Sequence, residues 1–381
     1  MRVVHLISNL GIGGAEMALC ALVESSARYG IEHTVVSFLP NGTLRLRLEK
    51  AGANVVELQG RRGVRGVFLL RQLARALAGT EPDIVHAWMY HANIAASTIR
   101  RLGRISCPLI WSIRQSADDL ALDGRFTQVL IRLGAAWSAG PDAIVYNSAI
   151  GATSHEAIGY APGRHIVIPN GIDSERFRPR PEARAELRSE LGLAPDALLV
   201  GRVARYSPMK DFVTLFQAHR LMFDRLPSAR LVMAGDGICA SNEELVALCQ
   251  THGSLEHTHF LGPRLDIEKL YPGLDVLVSS SVANEGFPNV VAEGLSSGIP
   301  VVATLSGDEQ LVRGGVSVVV EPGDFESLAF GVISILSASQ EFKDTIGQKS
   351  REFVRNNYSL NLMASRYREL YIRLKDAHKH D

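Results

Sequence analysis

Cysteine is scarce in this chain, and its spacing favours neither disulfides nor a metal site. The four cysteines among the 381 residues are widely separated, and no CxxC or Cys/His spacing joins them: Cys20, Cys107, Cys239 and Cys249. A disulfide framework and a zinc site are therefore not indicated. We expect a protein of a reducing compartment, the cytoplasm.

Long hydrophobic runs are also missing. No stretch of about 18 apolar residues occurs, so a membrane-spanning helix is not predicted. The opening MRVVHLISN is typical of a β-strand, and it lacks the charged, apolar and small-residue segments of a signal peptide. Attachment to a membrane surface stays open.

The chain has no net charge, because 40 Lys and Arg balance 40 Asp and Glu. The balance is uneven: the first 170 residues are net basic and the remainder is net acidic. One stretch of the basic half is rich in arginine. It is interpreted either as the solvated face of an ordinary helix or as a patch that contacts anionic lipid or an acidic acceptor. The five arginines of this stretch are Arg61, Arg62, Arg65, Arg71 and Arg75. We predict no nucleic-acid partner.

Length and pattern predict two α/β domains. With 46% apolar residues the chain is globular, and short β-rich runs alternate with amphipathic helical stretches, as in βα units on parallel sheets. We predict two doubly wound domains, at 1–172 and 197–355, a polar linker at 173–196, and a last amphipathic helix within 356–381. The predicted strands are 2–7, 33–38, 54–57, 83–86, 109–113, 143–146, 165–168, 198–203, 230–234, 258–261, 276–279, 301–304 and 317–320.

Ligands of open α/β sheets bind beyond the carboxyl ends of the strands, and the first such loop is GIGGAE. Gly11, Gly13 and Gly14 let backbone amides approach an anion at the start of a helix. The third glycine of a dinucleotide fingerprint would fall at Glu16, whose charge repels a pyrophosphate, so a nicotinamide cofactor is not predicted. A tight turn without a ligand is the alternative.

A second loop, RVARYSPMKD, carries two cations after the first strand of the second domain. Arg205 at the strand exit and Lys210 at a helix start are spaced to hold a diphosphate and to neutralise its charge as it leaves. Solvated surface cations are the alternative.

A third loop, EGFPNVVAE, places two carboxylates eight positions apart. If a helix starts near Pro288, the amides around it face an anion, Glu285 accepts sugar hydroxyls, and Glu293 accepts two ribose hydroxyls. The intervening candidates for donor binding are Gly286, Phe287, Pro288, Asn289 and Val290. On spacing alone, two acids on a solvated helix explain the pattern better.

A fourth group of residues follows two strands of the first domain, in HAWMYHAN and WSIRQS. His86, His91 and Arg114 are predicted to line one wall of a cleft, with His86 and His91 on the acceptor side and Arg114 as a catalytic candidate. Histidines that merely complete hydrogen bonds in the core are the alternative.

Taken together, the motifs resemble the family-four glycosyltransferases along nearly the whole chain. They are GIGGAE, DIVHAW, VYNS, IPNGID, RVARYSPMKD, MAGDG, FLGPRLDI and EGFPNVVAEGLSSGIPVVAT. The resemblance implies a GT-B fold: two Rossmann-like domains facing a central cleft, an N-terminal acceptor domain and a C-terminal donor domain, and a final helix that crosses back to the first domain. It also implies transfer of a sugar with retention, without a cofactor and usually without a metal, in agreement with the lack of a DxD-like site.

The resemblance assigns roles to individual residues. It implies that Glu285 and Glu293 contact the donor sugar and the ribose, that Arg205 and Lys210 bind the diphosphate, and that Gly14 approaches the diphosphate from the other domain. Arg264, with Asp266, lies in the loop near which the family seats the base.

Two departures from the family pattern affect these assignments. Arg114 stands where many members have a histidine that contacts the donor sugar. The glycine pair that often follows VVAT is replaced by Ser306, Gly307 and Asp308.

We therefore predict a retaining glycosyltransferase that moves a sugar from a nucleoside diphosphate sugar, with UDP favoured, to a saccharide or polyprenyl-linked acceptor in surface polysaccharide or glycolipid synthesis. A sugar-nucleotide epimerase of the same fold and a non-catalytic sugar-nucleotide binding protein are the alternatives.

Overall fold

The computed structural model of the protein describes residues 1–60, 66–283, 285–315 and 317–379. These residues divide into two compact units. Met1–Gly171 and the chain from Leu360 onward form the first unit, and Ile172–Ser359 form the second.

The strands alternate with helices along the chain, as predicted. The described strands are β1 Arg2–Ile7, β2 Glu32–Ser37, β3 Asn54–Glu57, β4 Ile84–Trp88, β5 Leu109–Ile113, β6 Ala143–Tyr146, β7 His165–Val167, β8 Leu198–Val203, β9 Ala229–Ala234, β10 Thr258–Phe260, β11 Val276–Ser279, β12 Val301–Thr304 and β13 Val318–Val320. The described helices are α1 Gly14–Ser26, α2 Arg45–Lys50, α3 Gly66–Ala78, α4 Met89–Arg101, α5 Arg125–Trp137, α6 Ala149–Ala157, α7 Ala183–Glu190, α8 Phe212–Arg225, α9 Glu243–Thr251, α10 Ile267–Leu270, α11 Asn289–Ser296, α12 Glu309–Gly315, α13 Phe325–Ser337, α14 Gln340–Asn357 and α15 Leu360–His378.

Each unit is built on one parallel sheet. The strand order is β3-β2-β1-β4-β5-β6-β7 in the first unit and β10-β9-β8-β11-β12-β13 in the second. The order therefore reverses between β1 and β4, and again between β8 and β11. The predicted α/β class with two doubly wound sheets is confirmed.

Apolar side chains cover both faces of each sheet, which explains why the strands are almost wholly hydrophobic. In the first unit, α1 and α15 cover one face, and α3, α4 and α5 cover the other. In the second unit, α7, α11 and α14 lie on one face, and α8, α9 and α13 on the other.

The last helix, α15, packs in the core of the first unit. Met363, Tyr367, Leu370 and Tyr371 are all buried there, at the three- and four-residue spacing that marks one helix face. The apolar stripe of the sequence thus has its packing surface in the unit that contains residues 1–171.

The segment predicted as a linker has more structure than its composition suggested. Residues 173–196 belong to the second unit and contain α7. Ala183 and Leu187 are buried, and the guanidinium of Arg188 donates to Asp275 at 2.6 Å. The helix could not be predicted from the polar composition, because the buried Arg188 pairs with Asp275, which lies far away in the sequence.

Candidate active site

The second unit brings together the loops that follow β8 and β11. These two strands are neighbours at the point where the strand order reverses. Crevices at such reversal points, beyond the carboxyl ends of the strands, are the usual ligand sites of open α/β sheets. The loop after β8 carries Arg205 and Lys210, and the loop after β11 carries Glu285.

Lys210 and Glu285 form an ion pair between these loops. The ammonium of Lys210 contacts Oε1 of Glu285, and Ser281 donates its hydroxyl hydrogen to the same oxygen at 2.9 Å. Burial opposes ionisation of this carboxyl, but the charge and hydrogen bond of Lys210 outweigh it, so that the pKa of Glu285 is lowered. Glu285 is therefore ionised at neutral pH.

Backbone contacts fix Lys210 in this position. It ends the 3₁₀ turn Pro208–Lys210, and the Ser280 hydroxyl donates to its carbonyl oxygen at 2.9 Å. The amide of Val282 donates to the carbonyl of Met209 at 3.0 Å. Asp211 has a positive φ of 46° and caps α8 by accepting from the amide of Thr214 at 3.1 Å.

Arg205 is exposed on the turn after β8. The backbone of this turn lies against Gly235 of the MAGDG motif, where an added Cβ would lie 2.0 Å from the carbonyl oxygen of Ala204. Gly235 also has a φ of +144°, which L side chains rarely adopt. The glycine therefore permits the close backbone approach that shapes this turn.

Glu293 lies inside α11 and accepts a hydrogen bond from Tyr271. The Tyr271 hydroxyl donates to Oε2 of Glu293 at 2.8 Å, and Tyr271 itself is fully buried. Burial raises the pKa of Glu293 to about 7, although this hydrogen bond and the charge of Arg176 oppose the rise. Glu293 is thus a carboxyl whose charge changes near neutral pH.

α11 begins at Asn289, next to Pro288, as predicted. Pro288 is the N-cap residue rather than the first helical residue, and the amide of Asn289 donates to the carbonyl of Phe287 at 2.9 Å. The first intrahelical bond joins Ala292 to Pro288, so the amide of Val290 has no acceptor within the helix. Gly286 and Phe287 are buried, and the Phe287 ring packs on Tyr358 with ring centroids 5.3 Å apart. The side chain of Phe287 therefore belongs to the core, and donor binding through its amide stays a prediction.

The departure at residues 306–308 lies directly beside Glu285. A Cβ added to Gly307 would lie 3.0 Å from Cβ of Glu285 and 3.1 Å from Cδ of Pro288. Asp308 is buried and accepts from the amide of Leu311 at 2.8 Å, so it caps α12.

Arg264 is held by acids of its own unit. Its guanidinium donates to both carboxylate oxygens of Asp266, at 3.0 and 3.1 Å, and to Glu190 at 2.6 Å. These hydrogen bonds raise the pKa of Arg264, the bond to Asp266 contributing most. In the structure Arg264 shapes its loop, and a base contact remains a prediction.

In the first unit, the glycines of GIGGAE open α1 where the strand order reverses. Gly13 is the N-cap and Gly14 the first residue of the helix. An added Cβ at Gly13 would lie 2.4 Å from Oε2 of Glu16, so the Glu16 carboxylate lies over the helix N-terminus. A carboxylate is favourable there because it faces the positive end of the helix dipole.

His86 was expected at the cleft wall, and the structure corrects this. The strand β4 extends to Trp88, so His86 lies inside it and is fully buried. Both ring nitrogens are 2.8 Å from a hydroxyl, one from Tyr371 and the other from Ser112. His86 therefore completes hydrogen bonds in the core and does not present itself to an acceptor.

Arg114 is corrected in the same way. Its guanidinium donates to the hydroxyl of Tyr367 at 2.8 Å and to the carbonyl of Ile168 at 3.2 Å, and it lies over the Trp88 ring. The buried side chain thus attaches α15 to the first sheet instead of pointing to solvent. His91, by contrast, is exposed on α4 beside Phe126.

Two residues of the site went unnoticed in the sequence. Tyr271 looks like a core aromatic in KLYPGLD, and nothing local links it to Glu293. Arg202 lies within the apolar strand LLVGRV, and a charge in such a strand is itself a signal that a buried partner must exist.

Neither a membrane-spanning helix nor a cluster of metal ligands occurs among the described residues. No helix there combines the length and apolar character needed to cross a bilayer. No group of three or more His, Cys, Asp or Glu side chains in the same part of the chain is arranged to hold a metal ion.

Of the predicted arginine patch, Arg71 and Arg75 are exposed on α3, and Arg61, Arg62 and Arg65 lie outside the described residues.

Two family descriptions match consecutive parts of the chain. Residues 12–176 match Glycosyltransferase Family 4, and residues 194–338 match Glycosyl transferases group 1. The two sheets and the reversal-point loops described above fall within these matches. The chain belongs to the family-four type of GT-B glycosyltransferases.

Individual relatives agree with this class. A D-inositol 3-phosphate glycosyltransferase of Actinosynnema mirum is 35% identical over 41% of this chain and 39% of that protein. The lipopolysaccharide core biosynthesis glycosyltransferase LpsE of Rhizobium meliloti is 28% identical over 93% of this chain and 96% of that protein. The chain spans about half the length, or less, of the first curated relatives that it matches.

A solved structure shares the fold over nearly the whole chain. Anabaena Alr3699/HepE, crystallised in complex with UDP and glucose, matches with a TM-score of 0.83 over 97% of this chain and 99% of that chain, at 23% identity. This similarity shows the GT-B fold.

Proposed function

We propose that the protein transfers a sugar from a nucleoside diphosphate sugar, with UDP as the favoured nucleotide, to a saccharide or lipid-linked acceptor. The observation that carries this proposal is the Lys210–Glu285 ion pair at the reversal point of the second sheet, with Glu293 in the helix that follows. The UDP complex of the similar fold and the lipopolysaccharide name of LpsE support the donor and the surface-glycan acceptor.

The charges of this site suit a diphosphate donor. Lys210 supplies a cation next to Glu285, and Val290 lies in the first turn of α11, where the helix dipole favours an anion. Arg205 is exposed on the adjoining loop and can add a second cation. Ionised Glu293 accepts two ribose hydroxyls, and Glu285 accepts hydroxyls of the sugar.

We propose retention by attack on the same face from which the leaving group departs. Lys210 and Arg205 stabilise the diphosphate as the bond to the sugar breaks, the leaving oxygen takes the proton of the acceptor hydroxyl, and Glu285 positions the sugar. A double displacement would require a carboxylate nucleophile across the ring from the leaving group. Glu285 is held by Lys210 and Ser281, which suits orientation rather than attack. No metal or cofactor takes part in this proposal.

Peripheral membrane contact is part of the same proposal, through exposed Arg71 and Arg75 on α3 and the preceding Arg61, Arg62 and Arg65. Charge reversal of Arg71 and Arg75 should weaken binding to vesicles that contain anionic lipid. Unchanged binding would count against contact through this helix.

The test of the donor uses the purified protein with UDP-, GDP-, ADP- and TDP-sugars. Thermal unfolding and slow donor hydrolysis are measured, because binding to the native state raises apparent stability without an acceptor. We expect one nucleotide to stabilise the protein, and Glu293→Ala to abolish the effect. Glu326→Ala, in the first turn of α13, is the matched control and should respond like the wild type.

The outcomes separate the alternatives. Release of the nucleotide, and transfer to an added acceptor, support a transferase. A changed sugar still attached to its nucleotide indicates an epimerase, and stabilisation without any turnover indicates a binding protein. No response to any donor would overturn the proposal.

A further inference from the structure

Arg202 is a buried cation that the mechanism above does not use. It lies in β8 and is only 2% exposed. Placing a guanidinium in a protein interior costs free energy unless hydrogen bonds or an acid compensate. Within the described parts of the chain no ion pair includes Arg202, and its hydrogen-bond acceptors are all neutral.

These acceptors lie in the turn after β8 and at the end of β11. One terminal nitrogen donates to the carbonyl of Lys210 at 2.9 Å. The other donates to the Ser279 hydroxyl at 3.1 Å and to the carbonyl of Val278 at 3.3 Å. The planar fork of the guanidinium therefore joins the turn after β8 to the end of β11.

The same carbonyl of Lys210 also accepts from Ser280. Two donors from neighbouring strands thus hold the main chain of Lys210, while its side chain reaches Glu285. A shift of this turn would carry the ammonium away from the carboxylate.

We propose that Arg202 is a positioning residue, which fixes Lys210 against Glu285 and places a permanent positive charge behind the pair. The inference rests on the proposed function for its catalytic consequence, but the clamp on the loop is a property of the chain itself.

The surrounding charges agree with this role. Burial lowers the pKa of Arg202 to about 10, and the charges of Glu285 and Asp211 oppose the fall, so Arg202 stays charged at neutral pH. Lys210, the Ser281 hydroxyl and Arg202 all lower the pKa of Glu285 against the effect of burial. Loss of the Arg202 charge should therefore raise the pKa of Glu285.

The experiment compares Arg202→Met, Arg202→Lys and the control Arg188→Met. Arg188 is an equally buried arginine of the same unit, 3% exposed, whose partners are Asp275 and the carbonyls of residues 184, 197 and 273. Arg188→Met therefore shows what the loss of any buried guanidinium does to the stability of this unit. Donor hydrolysis is measured as kcat and KM against pH, and amide hydrogen exchange is followed for residues 205–214.

We expect Arg202→Met to lower kcat by about tenfold or more, because Lys210 no longer sits where charge develops. The acid limb of the kcat/KM profile should move to higher pH, and exchange at 205–214 should speed up. Arg202→Lys keeps the positive charge but lacks the planar guanidinium. Its pH profile should therefore lie close to that of the wild type, while its kcat should stay lowered. Arg188→Met should leave the profile and the exchange of 205–214 as in the wild type.

The two proposals fail in different ways. An active wild type in which Arg202→Met keeps its pH profile and its exchange at 205–214 would refute the role of Arg202 alone. A wild type that turns over no donor would refute the proposed function, and the exchange comparison would still decide whether Arg202 clamps the loop. Should Arg202→Met fail to fold, Arg202→Lys tests the clamp through kcat and the exchange of residues 205–214, and wild-type values of both would refute the role of Arg202.

Discussion

The hydroxyl of Tyr271 donates to Oε2 of Glu293 at 2.8 Å. This hydrogen bond joins a buried tyrosine to a carboxyl whose pKa lies near neutral pH. Burial brings the pKa of Glu293 to about 7, while the Tyr271 hydrogen bond favours the charged form. A carboxyl in this balance responds both to pH and to any ligand that donates hydrogen bonds to it.

The affinity for the nucleotide sugar should therefore depend on pH. Ribose hydroxyls donate to the ionised carboxylate, so binding requires Glu293 without its proton. Since the pKa of Glu293 is about 7, affinity should rise with pH through that value and fall by up to about tenfold per pH unit below it. Calorimetry between pH 5.5 and 8.5 should also show that binding releases a proton below pH 7 and none well above it.

Glu293→Gln serves as the control for this effect. The amide cannot titrate, so weak binding that is flat with pH is expected. A wild-type affinity that does not change across pH 7 would show that Glu293 does not meet the ribose.

Tyr271→Phe should move the pH dependence of donor binding upward. The substitution removes the hydrogen bond that lowers the pKa of Glu293, so the midpoint of the affinity curve should shift to higher pH. We expect a stability cost of about 1 kcal/mol from the lost buried hydrogen bond. Tyr358→Phe, which removes a hydroxyl that bonds to Asp308, should leave the midpoint unchanged.

The alternation of strands and helices could be predicted because it depends on local pattern. So could the loops that meet at the carboxyl ends of β8 and β11, since parallel strands bring those ends to one edge. The direction in which the side chains of a strand point was harder to predict from the sequence. In β4 every residue is buried, so no alternation of polar and apolar residues distinguishes His86 from its neighbours.

Long-range partners explain the remaining errors. Arg114 donates to Tyr367, which is 253 positions away, and no local pattern marks that contact. The charge of Arg202 inside an apolar strand was visible, but its acceptor at Lys210 depends on how the next turn folds back. Contacts of this kind arise from tertiary packing and not from propensity.

The Lys210–Glu285 pair should behave as one unit in a double-mutant cycle. Lys210→Met and Glu285→Gln should each lower turnover by about a hundredfold, and the double variant should be hardly worse than the poorer single one. The reason is that each change already removes the shared interaction. Asp224→Asn, which breaks the exposed pair with Arg220 on α8, should have no effect on turnover. Additive losses in the double variant, or full turnover in Glu285→Gln, would contradict the assignment.

Acid should destabilise the first unit through its buried histidines. His33 bonds to Ser26 at 2.8 Å and to His5 at 3.0 Å, and burial lowers the pKa of His33 to about 4. Between pH 6.5 and 4 the unfolded chain binds a proton at this position that the folded chain does not, so the free energy of unfolding falls as pH falls.

The measurement is denaturant unfolding followed by tryptophan fluorescence, since Trp88, Trp111 and Trp137 all lie in the first unit. His33→Gln should flatten the slope of the unfolding free energy with pH by about 1.4 kcal/mol per pH unit. His378→Gln, exposed near the end of α15, should keep the wild-type slope. Equal slopes in the two variants would mean that His33 is protonated in the folded protein.

We expect Gly307 to be required for the position of Glu285, in addition to its role in the backbone turn that contains Gly307. It has a φ of +94°, and an added Cβ would lie 3.0 Å from Cβ of Glu285 and 3.3 Å from its carbonyl oxygen. Gly323 has a similar φ of +81° but no atom within 4 Å of such a Cβ. Gly307→Ala and Gly323→Ala should therefore share a backbone penalty of about 1 kcal/mol, while only Gly307→Ala displaces Glu285 and weakens donor binding and hydrolysis. Thermal unfolding measures the shared cost, and donor titration measures the difference. Equal donor affinity in the two variants would show that Glu285 does not depend on the contact with Gly307.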